Sequence, residues 1–111
     1  MRVEDMLEAI REIGRFVDGL TFEQFASDPK TLRATVADFI IIGEAAAAVP
    51  EEIVIANPDV PWRVMKRMRN TLVHAYFAID PRIVWETARN DLPALLAPLE
   101  AMLRESGGDP G

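Results

Sequence analysis

The sequence predicts an all-α protein, a compact bundle of four main helices with short helical turns between them. Apolar residues recur at three- and four-residue spacings along most of the chain, which is the periodicity of amphipathic helices. The sequence contains no glycine-rich phosphate loop and no alternation of strands with helices, so a nucleotide-binding α/β fold is disfavoured. The chain has 111 residues, of which 50% are hydrophobic. That size and composition suit one domain with one core.

The first long helix has one apolar and one polar face. Its apolar residues repeat every three or four positions and are Val3, Met6, Leu7, Ile10, Ile13, Val17 and Leu20. Gly19 is predicted to end this helix, because glycine readily adopts the left-handed conformation that follows a helix. Thr21 and Gln24 form a capping-box pattern, which predicts a short helix through Phe22 and Phe25.

The second long helix is predicted from about Thr31 to Val49, after a break at Asp28-Pro29. The apolar run from Phe39 to Ile42 is also compatible with a strand. We prefer a helix because the run is embedded in alanine-rich sequence, and alanine has the highest helix propensity. Pro50 is predicted to end this helix, and Glu51 to Ala56 to add one or two further turns.

Two further long helices are predicted in the second half of the chain. The third covers Trp62 to about Tyr76, with Pro61 near its first turn, where a missing N–H costs little. The fourth starts at Asp80-Pro81, with Asp80 as its N-cap. Because Pro93 and Pro98 interrupt its apolar pattern, we expect a kink or break near residues 91–93. We predict a single domain over residues 1–105 and a disordered tail over residues 106–111.

Composition excludes several classes of function. The chain has no cysteine, which rules out disulfides, thiolate zinc sites and cysteine nucleophiles. With one histidine and scattered carboxylates, no metal site and no cofactor are predicted. The N-terminal residues lack the apolar core of a signal peptide, and the longest apolar region is too short to cross a bilayer. We therefore expect a soluble cytoplasmic protein. The net charge of −6 argues against a protein that coats DNA.

One basic window stands out in this acidic chain. From Val60 to Ile79 there is no Asp or Glu, while four Lys and Arg residues give the window a charge of +4. Since the chain totals −6, the remainder carries −10. The window also holds the only histidine, His74, and the only tyrosine, Tyr76. Positive charge gathered around the one group that titrates near neutral pH suggests a site for an anion.

These residue types suit the cleavage of RNA without a metal. A histidine near its ordinary pKa of roughly 6.5 can accept the proton of a 2′-hydroxyl or protonate a leaving oxygen. An arginine supplies a permanent charge and a forked donor that matches phosphate oxygens. Arg69 and His74 are therefore the candidate catalytic pair, and Asn70 is placed to hold a phosphate oxygen or fix the imidazole. The remaining cations of the window are assigned to RNA binding: Arg63, Lys66 and Arg67.

Helical geometry indicates that one copy of the chain presents an incomplete site. Positions 69 and 74 lie about 140° apart around a regular helix, whereas Asn70 and His74 share a face. Two copies with these helices side by side would build one cleft from two arginines and two histidines. The alternative at this point is a structural or surface histidine, which is the commoner role of a lone histidine on a helix.

A longer string of residues resembles a known family. Arg69-Asn70-x-Leu72-x-His74-x-Tyr76-Phe77 is similar to the Arg-x4-His-x-Tyr motif of HEPN-domain proteins, specifically the HepT-like ribonuclease toxins. Other blocks resemble the same family in the same order and cover nearly the whole chain: Met6 to Ile10, Ile41 to Ala46, Pro61 to Arg63, Ile83 to Trp85 and Asn90 to Pro93. The short motif is poorly specific, but the ordered set of blocks is highly specific.

The resemblance implies an all-α HEPN-type up-and-down bundle and a homodimer with a shared cleft. It implies a metal-independent endoribonuclease toxin of a toxin–antitoxin system, with Arg69, Asn70 and His74 in the catalytic motif. It further implies a partner, a nucleotidyltransferase antitoxin of the MntA type, which transfers AMP to the motif tyrosine, here Tyr76. AMP on that tyrosine would add bulk and negative charge at an RNA cleft.

The sequence also gives expectations for two acidic residues, Asp38 and Glu44. The chain departs from many relatives in the stretch before Ile41, where Asp38 would weaken RNA binding if it faced the cleft. Glu44 lies in an apolar helix and is expected either to pair with an arginine near the motif helix or to point to water.

One alternative function is a non-catalytic HEPN module that docks to a nucleotidyltransferase and regulates it. The other is a helical scaffold without chemistry.

Overall fold

Residues 2–74 and 80–105 are described by a computed structural model, which gives only the backbone for residues 2 and 69–74. The described residues form helices and no strand, which confirms the all-α prediction. Four long helices carry the fold: α1 (Arg2–Val17), α3 (Pro29–Ala47), α5 (Trp62–His74) and α7 (Pro93–Glu105). Shorter elements connect them: α2 (Phe22–Ala26), α4 (Glu51–Ala56), α6 (Pro81–Glu86) and a π-helical turn (Thr87–Asp91).

The end of α1 and the start of α2 follow the predicted signals. Gly19 has a φ of +77°, a conformation that side chains with a Cβ rarely adopt, and it lies just after the last residue of α1. The capping box at α2 is present. The Gln24 amide donates to the Thr21 hydroxyl at 3.1 Å, and the Thr21 amide donates to the Gln24 side chain at 2.9 Å. These bonds satisfy two amides that the first turn leaves unpaired.

The central helix, α3, begins two residues earlier than the sequence suggested. Asp28 is its N-cap, accepting from the Thr31 amide at 3.3 Å and from the Thr31 hydroxyl at 2.6 Å. Pro29 occupies the first turn, where its missing N–H costs nothing. Asp28-Pro29 is thus a start signal as well as a break. The run from Phe39 to Ile42 is helical, so the strand alternative is wrong.

The second half of the chain also follows the predicted boundaries. The carboxylate of Asp80 accepts from the Arg82 amide at 2.9 Å and caps α6. The helical pattern is interrupted before Pro93, as expected: the Leu92 amide bonds to the Thr87 carbonyl five residues back, at 3.1 Å. The predicted extension of α5 to Tyr76 and the predicted tail over residues 106–111 lie outside the described residues.

The core lies around α3, which packs against α1 on one side and α5 on the other, while α7 packs against α1. Its largest fully buried side chains come from α2, from the four long helices and from the residue just before α7: Phe25, Phe39, Met6, Ile13, Ile42, Met65, Leu92 and Leu99. No helix within residues 2–74 and 80–105 is long and apolar enough to cross a membrane.

Candidate functional site

The helix that carries the motif, α5, is fixed to the core by its start and by one buried face. Trp62 is 6% exposed, and its indole N–H donates to the Asn57 carbonyl at 3.0 Å. Met65 and Met68 follow at three-residue spacing and are also buried. Because this face is committed to the core, the charged residues between these positions point outward, while Val64 remains partly buried against the core.

The outward face of α5 is basic, as the sequence predicted. Arg63, Lys66 and Arg67 are all exposed. The described parts of the chain contain two ion pairs, Arg11 with Glu100 and Arg15 with Glu8, and neither involves these three cations. Unpaired, hydrated cations on one helix face are available to phosphates, because no internal salt bridge must be broken first.

Two depressions in the surface meet at Arg67. One is lined by the three cations together with Trp62 and its neighbours on the preceding loop. The other lies between α5 and α6, where Val64 and Met68 face Ile83. Ile83 is 50% exposed. The Arg67 guanidinium therefore lies where two partly apolar depressions adjoin.

The predicted catalytic residues occupy the second half of α5. The backbone is helical through Arg69, Asn70 and His74, so positions 70 and 74 lie one turn apart, and position 69 lies about 140° around the helix axis from position 74. Their side chains, and the whole of Tyr76, lie outside the described part. The roles assigned to these four residues therefore stay predictions.

Asp38 lies on the other side of α3, away from the α5 surface. It is 5% exposed and faces α1, where it lines a groove with Glu8 and Glu12. Burial, a hydrogen bond with Glu12 and the negative charges of Glu12 and Glu8 together raise the pKa of Asp38 to about 7, while Arg15 opposes the shift. The expected weakening of RNA binding was conditional on Asp38 facing the cleft, and it stays a prediction. Glu44 is exposed and lines the same groove.

Sequence reasoning missed this acidic groove. Its signal was present in the spacing of Asp5, Glu8 and Glu12, which at three and four residues fall on one face of α1. What the sequence could not show is that Asp38 of α3 completes the groove from the opposite wall. Within the described residues, no three carboxylate or imidazole groups lie close enough together to hold a metal ion.

The helical bundle and the motif helix define a class of protein, and comparison with known sequences identifies it. The model of the HepT-like ribonuclease family matches residues 6–102. This chain therefore belongs to the HepT-like family, and its fold is the all-α HEPN-type bundle that the sequence predicted.

Relatives from archaea and bacteria are similar to this chain over most of their own length. A protein of Thermococcus cleftensis, named a probable ribonuclease HepT, is 41% identical over 90% of this chain and 91% of its own. A candidate RNase of Methanocaldococcus jannaschii is 34% identical over 95% of this chain and 87% of its own. A candidate RNase of Caldanaerobacter subterraneus is 35% identical over 93% of this chain and 92% of its own. No solved structure matches the chain significantly.

Proposed function

We propose that this chain is the toxin of a toxin–antitoxin pair and acts as a metal-independent RNA endonuclease in the cytoplasm, with residues 1–105 as its single domain. The observation that carries the proposal is the family match over residues 6–102, which includes the Arg69-to-Tyr76 motif. The unpaired basic face of α5 supports it, because that face leads along one helix to the motif residues.

The chemistry divides between binding and proton transfer. Arg63, Lys66 and Arg67 hold the RNA backbone by their positive charge. His74 then removes the proton from the 2′-hydroxyl, and the oxygen attacks the adjacent phosphorus. The imidazolium so formed returns the proton to the 5′-oxygen as that oxygen leaves, which gives a 2′,3′-cyclic phosphate and a 5′-hydroxyl. A guanidinium such as that of Arg69 stabilises the charge on the phosphoryl oxygens, so the step balances without a metal ion.

A homodimer completes the site in this proposal. Because Arg69 and His74 do not share a face of α5, a cleft between two copies brings the arginine of one copy toward the histidine of the other. The packing of α5 on α3 supports the proposal, because a shared site requires the helix that carries positions 69–74 to be held in place.

Mixed dimers provide the test. We expect Arg69→Ala and His74→Ala to be inactive separately on a fluorescent RNA in EDTA, and a refolded mixture to regain a measurable fraction of wild-type cleavage. The heterodimer retains Arg69 on one copy and His74 on the other. Absence of any gain on mixing, with dimers present by light scattering, would show that each copy works alone.

A nucleotidyltransferase antitoxin of the MntA type is the proposed inhibitor. The phenolic oxygen of Tyr76 attacks the α-phosphorus of ATP, pyrophosphate leaves, and the phenol releases its proton to solvent. The AMP group places negative charge beside the basic α5 face, which repels RNA. Co-expression with a neighbouring nucleotidyltransferase should add one AMP to the intact mass of the wild type and none to Tyr76→Phe.

The same RNA assay separates catalysis from binding alone. Wild-type protein that binds RNA but cleaves none, at any protein concentration at which it is dimeric, would contradict the nuclease proposal. It would favour a HEPN module that docks to a nucleotidyltransferase and regulates it.

A further inference from the structure

The groove between α1 and α3 is a second charged surface, separate from the basic face of α5. It has a volume of about 460 Å³, and carboxylates line both of its walls. Asp5, Glu8 and Glu12 come from α1, and Asp38 and Glu44 come from α3. The groove shares no lining residue with either depression at Arg67.

Asp38 shows that the groove is more than a solvated acidic surface. Its side chain is 5% exposed, and its Oδ2 atom has no hydrogen-bond partner among the described residues. A buried carboxylate oxygen without a donor is costly, because burial removes the water that would otherwise solvate it. The neighbouring Glu12 shares a hydrogen bond with the Asp38 carboxyl, and the charges of Glu12 and Glu8 repel its ionised form, so neither supplies a positive partner for Oδ2. A cation in the groove would supply the missing donor.

The positively charged side chain near Asp38 does not supply this missing donor. Arg15 is the positive group near Asp38, but its guanidinium lies 3.5 Å from Glu8, and both side chains are well exposed. A compact metal ion is also a poor fit, because the carboxylates of the described residues do not converge on one point. The charges are instead spread along the groove.

The floor of the groove is apolar. Ala9 and Ala45 lie between the carboxylates, together with Ile40 and Ile41. Ile41 is 44% exposed, an unusual position for a large aliphatic side chain beside several acids. A matching ligand carries several positive groups joined by apolar segments.

We propose that this groove binds a linear polyamine, with ammonium groups paired to Asp38 and to the row Asp5, Glu8 and Glu12, and with methylene groups on the apolar floor. The row advances along α1 by about 4.5 Å and then about 6 Å. Ammonium groups separated by three and four methylenes, as in spermidine, repeat at roughly 5 and 6 Å. The proposal does not depend on RNA cleavage.

Binding is coupled to a proton. The raised pKa of Asp38 leaves its carboxyl largely protonated at pH 6, and the groups that face it are Glu8, Glu12 and Arg15. A bound ammonium favours the ionised form, so polyamine binding releases a proton at pH 6 and is tighter at pH 8.

Calorimetric titration of the full chain with spermidine in dilute buffer tests the proposal. At pH 8 we expect one saturable site per chain, with putrescine binding more weakly because it carries one ammonium fewer. Asp38→Asn should lower the affinity about tenfold, the loss of one charge-assisted contact. At pH 6, heats measured in buffers of different ionisation enthalpy should reveal proton release, and this release should vanish in Asp38→Asn.

Matched variants decide between a built site and diffuse attraction. Glu51→Gln, on α4 and outside the groove, removes one exposed charge and should leave the affinity unchanged. Glu12→Gln provides a second groove variant, should Asp38→Asn alter the circular dichroism spectrum. Binding that does not saturate, or that falls as much in Glu51→Gln as in the groove variants, would overturn the proposal.

Discussion

The two charged surfaces of this protein are built in opposite ways. On α5, Arg63, Lys66 and Arg67 are exposed and unpaired within the described residues, so their charges remain hydrated and cost the fold little. In the groove between α1 and α3, Asp38 is buried, and its Oδ2 atom accepts no hydrogen bond from the part of the chain that the structure describes. The first surface carries its charge at little cost in stability, whereas the second carries a cost that the proposed cationic ligand would remove.

Both surfaces depend on α3, which separates them. Asp38 faces the α1 groove, while its neighbour Phe39 lines the cavity beside Arg67. Successive residues on a helix point about 100° apart, so one helix can serve two sites of opposite charge. A substitution on one side of α3 should therefore leave the other surface in working order, which makes the comparison testable.

The largest expected effect is on the rate of RNA cleavage. His74→Ala should reduce RNA cleavage by about 10²- to 10⁴-fold, the usual contribution of a general acid or base. Asp38→Asn should keep wild-type cleavage at saturating RNA, because Asp38 faces α1 and not α5. Both rates are measured on the same fluorescent RNA under single-turnover conditions. Equal losses in the two variants would mean that the groove and the motif helix form one site.

The next effect concerns the helix that the surfaces share. Phe39 is 1% exposed, so Phe39→Ala should lower the free energy of unfolding by about 3–5 kcal/mol through lost burial and a cavity. Ile41, two residues along the same helix, is 44% exposed, and Ile41→Ala should cost less than about 1 kcal/mol. Urea unfolding followed by circular dichroism measures both. Similar costs would show that Ile41 is covered in solution, for example by a partner or a second copy.

Sequence reasoning was most successful where the signal is local. The Thr21–Gln24 capping box, the Asp80 cap and the interruption before Pro93 each depend on residues within one or two turns, and all three are present. The basic face of α5 was also predictable, because its residues alternate with buried methionines at helical spacing. These features require no knowledge of which helices are neighbours.

The acidic groove was not predictable, because it depends on contact between α1 and α3. Asp38 has an apolar sequence context that says only that it lies in a packed helix. Whether such a carboxylate faces an arginine, water or further carboxylates is set by the rotation of α3 against α1, and helix rotation is a property of the whole core. The resemblance to a family predicted functional residues on α5 and gave no indication of the groove between α1 and α3.

A smaller effect is a change in stability with pH. Folding raises the pKa of Asp38 from 3.8 to about 7, so the folded state binds the proton more tightly than the unfolded state does. Its contribution to stability is present below pH 4 and is lost as the pH rises through 7. Asp38→Asn removes this dependence and should be more stable than the wild type by about 1–3 kcal/mol at pH 8, the cost of a buried polar group without a partner.

Urea midpoints at pH 5 and pH 8 measure this difference. Asp5→Asn is the matched control, since Asp5 lines the same groove but is exposed, and its pH profile should follow that of the wild type. Spermidine at pH 8 should stabilise the wild type more than Asp38→Asn, because a ligand that binds only the folded state raises stability in proportion to its affinity. A wild type as stable at pH 8 as at pH 5 would show that Asp38 has a donor in solution.

The smallest effects belong to single cations on α5. In a His74→Ala background, which prevents cleavage, Lys66→Ala and Arg67→Ala should each weaken RNA binding and lower the slope of log affinity against log salt by about 0.7, the value for one single-stranded phosphate contact. Arg104→Ala, on the helix that packs against α1, is the charge-matched control and should leave the slope unchanged. Arg67 lines both depressions, whereas Lys66 lines only one of them. Arg67→Ala should therefore also lose base stacking and weaken RNA binding at high salt more than Lys66→Ala does. An equal loss of RNA affinity for both variants at every salt concentration would show that Lys66 and Arg67 contribute charge alone.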